Sequence, residues 1–177
     1  YRASVVQQID VAAAQGASTV ALCTGSRSEA AAARLFPELD PVCLVEVGDF
    51  SGIALRRCVA DGIGDTHVVA MIGKITKLAG GVMMTHFHRS QVDTNLLAEV
   101  ARETGAPKEA IAAATESAAA RHFYEVCTAV GAVEPLTRLC ELAARACRAH
   151  AGGHLRVDVT MVDFDGNAAV AGRSRCR

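Results

Sequence analysis

The chain predicts an α/β domain built on a mostly parallel sheet, with helices on both faces and a C-terminal antiparallel hairpin at the edge. Three observations carry this prediction. Short continuous apolar runs such as Thr19-Val20-Ala21-Leu22-Cys23 have the pattern of strands buried on both faces. Each of the first three runs leads into a polar or glycine turn and then a helical pattern, the alternation that parallel strands with helical crossovers require. The composition agrees: 51% of residues are hydrophobic but only 4% aromatic, which suits alanine-rich helices on a sheet better than a β sandwich.

The first helix runs from about Ser4 to Gln15, with Val5, Ile9 and Ala12 or Ala13 at helical spacing and Gly16 as its stop. Residues 19–23 form the first strand, and Thr24-Gly25-Ser26 turns the chain into a helix beginning near Ser28. Glu29 in that first turn suits the helix dipole, and the helix ends before Pro37. A second unit repeats the order, with a strand over 42–47, a turn at Gly48-Asp49 and a helix from Phe50 to Ala60. In the third, a strand over 67–72 is followed by a turn at Gly73 and a helix starting at Ile75.

Helices are expected at 93–103, from Pro107 to about Val130 with a break near Thr115, and at 135–149, punctuated by Gly105, Gly131 and Gly152. Residues 155–164 alternate Val157, Val159 and Met161 against Arg156, Asp158 and Thr160. Asp165-Gly166 is a hairpin signal into a last strand over 167–171. With no repeat or linker, residues 1–177 read as one domain. The opening on Tyr1, without Met and directly in helical pattern, reads as a piece of a longer protein, its C-terminal domain.

A formal net charge of −1, no Trp and two Tyr give no general attraction for phosphate backbones and few stacking platforms, so nucleic acid is not an expected partner. No apolar run reaches the roughly 18 residues that read as a membrane span, and no signal peptide is recognisable, so a cytoplasmic protein without a membrane partner is expected. Seven cysteines without a C-x-x-C pair argue against a disulfide framework and a zinc knuckle; they read as reduced core residues. No metal site is expected, because His86 and His88 lack a neighbouring Cys or acidic cluster to complete one.

Ligands of open α/β sheets sit beyond the carboxyl ends of the strands, so three segments are candidates for one site. Thr24, Gly25, Ser26, Arg27 and Ser28 join hydroxyls to a helix N-terminus, which suits an anion; a helix capped by Ser26 or Ser28 explains them equally well. Glu46 and Asp49, with Gly48 between them, stand about where adenosine-binding sheets keep a carboxylate for ribose hydroxyls. Asp49 serves equally as a cap for the helix that follows. Gly73, Lys74 and Lys77 present two cations at a helix start, against the macrodipole, a local cost that a bound anion would offset. Thr85-His86-Phe87-His88-Arg89 adds titratable and cationic groups.

Taken in order, Thr24-Gly25-Ser26-Arg27-Ser28-Glu29, Glu46-Val47-Gly48-Asp49-Phe50-Ser51-Gly52, Ile72-Gly73-Lys74 through Thr85-His86, and Val162-Asp163-Phe164-Asp165-Gly166 resemble the C-terminal half of the cobalt-precorrin-5B C1-methyltransferases of anaerobic cobalamin biosynthesis, the CbiD type. Gly-Lys-x-x-Lys-Leu-Ala-Gly-Gly is the most specific part. The resemblance implies an enzyme that moves a methyl group from S-adenosylmethionine to carbon 1 of a cobalt-containing tetrapyrrole, giving cobalt-precorrin-6A. It also implies a missing N-terminal domain as partner, and leaves a homo-oligomer open. Under it, Thr24, Gly25, Ser26, Ser28, Glu46, Gly48 and Asp49 would meet the cofactor. Arg27, Gly73, Lys74, Lys77 and Arg89 would meet the substrate's carboxylates, and His86 would handle a proton. Met71 and Phe87 depart from the family pattern, which has His and Ser there, so no catalytic role carries over to Met71. Two other classes compete: a non-catalytic nucleotide- or anion-binding module, and a structural half that supports the N-terminal domain.

Overall fold

The computed structural model describes residues 1–86, 91–116 and 120–173. Among them, five strands form one sheet in the order β2-β1-β3-β4-β5, namely β1 (Thr19–Cys23), β2 (Leu44–Glu46), β3 (Asp65–Ala70), β4 (Arg156–Val162) and β5 (Ala168–Arg173). The first four are mutually parallel and β5 is antiparallel to β4 at the edge. Because β2 and β3 flank β1, the chain reverses its direction of travel across the sheet between β1 and β3.

Helix α1 (Arg2–Ala14) precedes the first strand, α2 (Ser26–Leu35) and α3 (Ser51–Ala60) are the crossovers from β1 to β2 and from β2 to β3, and α4 (Ile72–Ala79) follows β3. They are followed by α5 (Thr94–Glu103), α6 (Lys108–Glu116), α7 (Ala120–Ala129) and α8 (Glu134–His150). Strand parity divides the sheet's two faces. Val20, Leu22, Val45, Val68, Ala70, Val157 and Val159 join the main core with α1, α3, α4, α5 and α8, while Ala21, Cys23 and Val69 meet Ala31 and Ala32 of α2 on the other face. Helices therefore cover both faces, as expected, but unequally.

The longest helix shows how the sequence specifies its packing. Leu136, Leu139, Cys140, Ala143, Ala144 and Cys147 fall at helical spacing and are all buried in the main core. Each fully buried Leu contributes about 1.5–3 kcal/mol relative to exposure. Asp93 caps α5, its carboxylate accepting from the backbone N–H groups of Asn95 and Leu96 at 2.9 and 3.1 Å. The six described cysteines are free and buried. Burial pushes the thiols of Cys23, Cys58, Cys140 and Cys147 up to about 12, so they behave as apolar core groups.

Several boundaries differ from expectation: β3 spans Asp65–Ala70 instead of 67–72, α2 begins at Ser26 instead of near Ser28, and two further differences have a visible cause. The strand expected over 42–47 is shortened by a 3-10 turn at Pro41–Cys43, which Asp40 caps by accepting from Val42 N–H. The turn expected at Gly73 is absent: Met71 is the N-cap, in an extended conformation, and α4 begins at once with Ile72. Burial of Ile72, Ile75 and Leu78 along one helical face decides this, because a helix starting later would leave Ile72 unpaired with that face.

Two predictions concern stability. A methyl group at Gly172 would lie 2.5 Å from the Cβ of Cys140, so Gly172→Ala forces β5 away from α8. It should cost about 1–3 kcal/mol, read as a lower urea midpoint with unchanged slope. His67 stacks on Phe36 with centroids 4.3 Å apart, and burial lowers its pKa below 6.5 despite the nearby Asp158 carboxylate. As pH falls through about 6.5 the unfolded chain takes up this proton first, so stability should decline between that pH and the lower folded value. His67→Gln should flatten that part of a plot of unfolding free energy against pH; an identical slope would show that another group controls it.

Candidate functional site

The reversal between β1 and β3 creates a crevice beyond the carboxyl ends of the strands, where open α/β sheets bind ligands. A cleft of about 810 Å3 occupies this place. Its floor is made by the turn after β1 (Thr24 to Ser28), by Asp49 after β2, and by Met71 to Lys74 at the junction of β3 and α4. Thr85 and His86 close one side, and Val92, Ala120, Arg121 and Phe164 form a wall from later in the chain.

Lys74 ties the floor together. Its ammonium donates to the carbonyls of Thr24 at 2.6 Å and Gly48 at 3.1 Å, and lies 3.2 Å from Asp49 Oδ1. One helix residue thus joins the segments leaving β1 and β2. Asp49 Oδ1 also accepts from the Thr85 hydroxyl at 3.2 Å, while the Asp49 carbonyl accepts from Thr85 N–H at 3.1 Å. The Thr85 carbonyl in turn accepts from Lys77 Nζ at 3.1 Å. Lys77 is only 8% exposed, and desolvation lowers its pKa, partly countered by Asp49 and reinforced by Lys74.

Two helix N-termini open onto this floor. α2 begins at Ser26 after Gly25, and α4 at Ile72 after Met71, and neither N-cap side chain satisfies the first-turn N–H groups. The buried Ser28 hydroxyl donates to the Gly25 carbonyl at 2.7 Å, which fixes the turn, while in α4 the Lys74 N–H already donates to the Met71 carbonyl at 3.1 Å. Among the described residues, four cationic side chains, Arg27, Lys74, Lys77 and Arg121, line the cleft against one carboxylate, Asp49. The excess positive charge stands on a chain whose formal net charge is −1. Such a cleft selects anions.

The sequence-derived candidates distribute unevenly. Thr24, Gly25, Ser26, Arg27, Ser28, Asp49, Gly73, Lys74, Lys77 and His86 all line the cleft. Glu46 does not. It pairs in register with Cys23 and sits beside Tyr1, whose hydroxyl pKa is raised by burial and then by the Glu46 charge. Strand parity is the reason: Val45 and Val47 enter the main core, so Glu46 faces the side of α2. Gly48 does not line the cleft either. It contributes its carbonyl to Lys74, at φ +54°, and a side chain there would strike the Tyr1 ring at 2.9 Å. Arg89, with Phe87 and His88, lies outside the described residues.

Sequence reasoning missed Thr85, Val92, Ala120, Arg121 and Phe164. Thr85 carried a signal, since it closes the Gly-Gly segment after α4. Arg121 and Phe164 are 43 positions apart in number and meet only through the tertiary fold. Among the described residues no group of three or more His, Cys, Asp or Glu could hold a metal ion, and no helix is long and apolar enough to cross a membrane.

The Lys74 network yields a prediction. Lys74→Met keeps the aliphatic stem but strips a charge-assisted partner from two carbonyls and from Asp49. It should lower stability by about 1–3 kcal/mol in urea unfolding. Asp49→Asn combined with Lys74→Met should cost clearly less than the sum of the two single changes, because they remove one shared interaction. Strict additivity would show that the ammonium does not tie these segments together.

Residues 84–173 match the family model described as CbiD, C-terminal domain. A cobalt-precorrin-5B C(1)-methyltransferase of Salinispora tropica is 48% identical over 99% of this chain and 46% of its own length. Proteins of the same name from Rubrobacter xylanophilus and Leptospira interrogans are 51% and 40% identical over 93% and 94% of this chain, and 42% and 45% of their own lengths. The chain thus spans a little under half the length of these curated relatives. No solved structure matches it significantly. With the family's C-terminal model covering half of the chain and relatives of this identity covering nearly all of it, the chain belongs to the CbiD family.

Proposed function

We propose that this chain is the C-terminal part of a cobalt-precorrin-5B C1-methyltransferase and that its cleft takes part in binding both S-adenosylmethionine and the tetrapyrrole. The observation that carries the reading is the cleft's charge. Four cations and two helix N-termini face a single carboxylate in a chain with no overall positive charge. A corrin precursor fringed with acetate and propionate groups is the kind of ligand such a cleft attracts.

When bound, S-adenosylmethionine supplies an electrophilic sulfonium methyl group. This chain's contribution is to hold and align. The N–H groups at the start of α2, in the Thr24 to Ser28 turn, are placed for a carboxylate of the cofactor. Among the described residues both side-chain contacts of Asp49 fall on Oδ1, which leaves Oδ2 for a ribose hydroxyl. Its position after β2 is the one adenosine-binding sheets use. Arg27, Gly73, Lys74 and Lys77 form the floor for substrate carboxylates. Lys74 acts there mainly through its charge, since Thr24, Gly48 and Asp49 already occupy its three protons. His86, exposed at the cleft's side, is the group that can accept a proton. Alignment and water exclusion carry most of the rate in such a transfer, because the reacting ring carbon is itself the nucleophile.

The test is calorimetry with S-adenosylhomocysteine on this chain and on the protein that includes the N-terminal half. Binding should weaken about tenfold or more in Asp49→Asn, as expected for loss of a charge-assisted hydrogen bond. Binding to the longer protein that ignores Asp49→Asn and a bulky Gly25→Val change would place the cofactor elsewhere.

A further inference from the structure

The cleft's wall holds an arrangement that the floor does not explain. Arg121, in the first turn of α7, lies with its guanidinium carbon 4.4 Å from the centre of the Phe164 ring. Phe164, in the turn between β4 and β5, is in turn held edge-on by Tyr124, with ring centres 5.7 Å apart at 83°. Tyr124 is 8% exposed, so this stack is anchored in the core and runs outward to a cation at the solvent face. Glu125 takes only the Nε of Arg121, at 2.7 Å. Among the described residues the two terminal amino groups, the edge that binds carboxylates in a bidentate fork, carry no protein partner.

The contrast with the other cations is chemical. Lys74 spends its protons on the protein, and Lys77 is almost wholly buried. The Arg121 side chain is 63% exposed yet is held flat by an aromatic ring, so little rotamer freedom remains to be lost on binding. Val92 and Ala120 supply apolar surface on the same wall. A flat ligand with an apolar body and acidic side chains fits these features.

We infer that Arg121, stacked on Phe164, is the arm that grips a peripheral carboxylate of the tetrapyrrole and so sets its orientation in the cleft. This rests on the reading of the cleft as the tetrapyrrole's site. Phe164 is a positioning residue: it touches the guanidinium and acts through it.

The experiment uses the full-length protein that contains this chain, with uroporphyrin as a polycarboxylate tetrapyrrole probe in fluorescence titration and cobalt-precorrin-5B in methyl transfer. Arg121→Gln should weaken uroporphyrin binding about ten- to hundredfold and raise KM for cobalt-precorrin-5B similarly, the effect falling on KM more than on kcat. Phe164→Leu, which keeps apolar bulk without the π face, should produce a smaller loss of about three- to tenfold. Adding it to Arg121→Gln should then change binding little further, as a role confined to packing would not predict. Arg121→Lys should not restore the wild-type value, because an ammonium lacks the planar fork. If Arg121→Gln binds and turns over within about twofold of wild type while the wild type methylates cobalt-precorrin-5B, this inference is overturned and the proposed function stands. If the wild type binds uroporphyrin through Arg121 but methylates no tetrapyrrole, the carboxylate grip is supported and the proposed function fails.

Discussion

The ammonium of Lys74 is the interaction on which the rest of the cleft depends. Where the chain leaves a parallel strand its backbone carbonyls lose their ladder partners, and the segments leaving β1 and β2 must satisfy them before turning into helices. Lys74 does this for Thr24 and Gly48 together and adds Asp49 as a counter-charge. Placing a cation in the first turn of α4 opposes the helix dipole at a cost of about 0.3–1 kcal/mol. Charge-assisted hydrogen bonds of about 1.5–3 kcal/mol each outweigh that cost. The lysine that looks misplaced in the sequence is justified by the protein's own acceptors even before a ligand arrives. Lys77 needs no such justification, because α4 ends at Ala79 and places it in the last turn, where the dipole favours a cation.

Asp49 is neutralised within this network, and that shapes what the cleft can bind. Thr85 draws the segment after α4 back onto the end of β2 through a backbone and a side-chain hydrogen bond, and Lys77 secures the Thr85 carbonyl from below. The single cleft carboxylate is thereby balanced from inside, so the remaining cations and the two helix N-termini dominate the field toward solvent. Electrostatic selection for an anion is therefore a property of the folded floor as a unit. Removing one of its members would alter both the shape and the charge presented to a ligand.

What the sequence made legible followed from local patterns. Buried runs such as 19–23 and the spacing of α8 each have a local cause, and each stands where the pattern puts it. Glu46 was misplaced because spacing along the chain locates the end of a strand without saying which face a residue takes. That face is decided by Val45 and Val47 entering the core. The start of α4 was misread because glycine in a first helical turn looks the same in sequence as glycine in a turn, whereas the burial of Ile72 distinguishes them. Arg121 had no local signal, and Phe164, although it stands in a recognised hairpin segment, had none that linked it to the cleft. Their stack forms because the β4–β5 turn reaches both α2, where Arg34 donates to the Gly166 carbonyl at 2.7 Å, and α7.

Under the proposed function the size of the cleft has a consequence for how the reaction is housed. At about 810 Å3 it lies in the upper part of the ~300–1,000 Å3 range that encloses one drug-sized ligand. A tetrapyrrole with its carboxylate fringe and a nucleoside cofactor together need more enclosed space than that. Methyl transfer needs both held in line with water excluded. Under this reading the floor supplies anion binding and the wall supplies orientation, and room for a second ligand and exclusion of water have still to be provided. The curated relatives are a little more than twice as long as this chain, so most of their length lies outside the region it matches. The enclosure that the chemistry demands would have to come from that additional length, closing over a floor that Lys74 has already set.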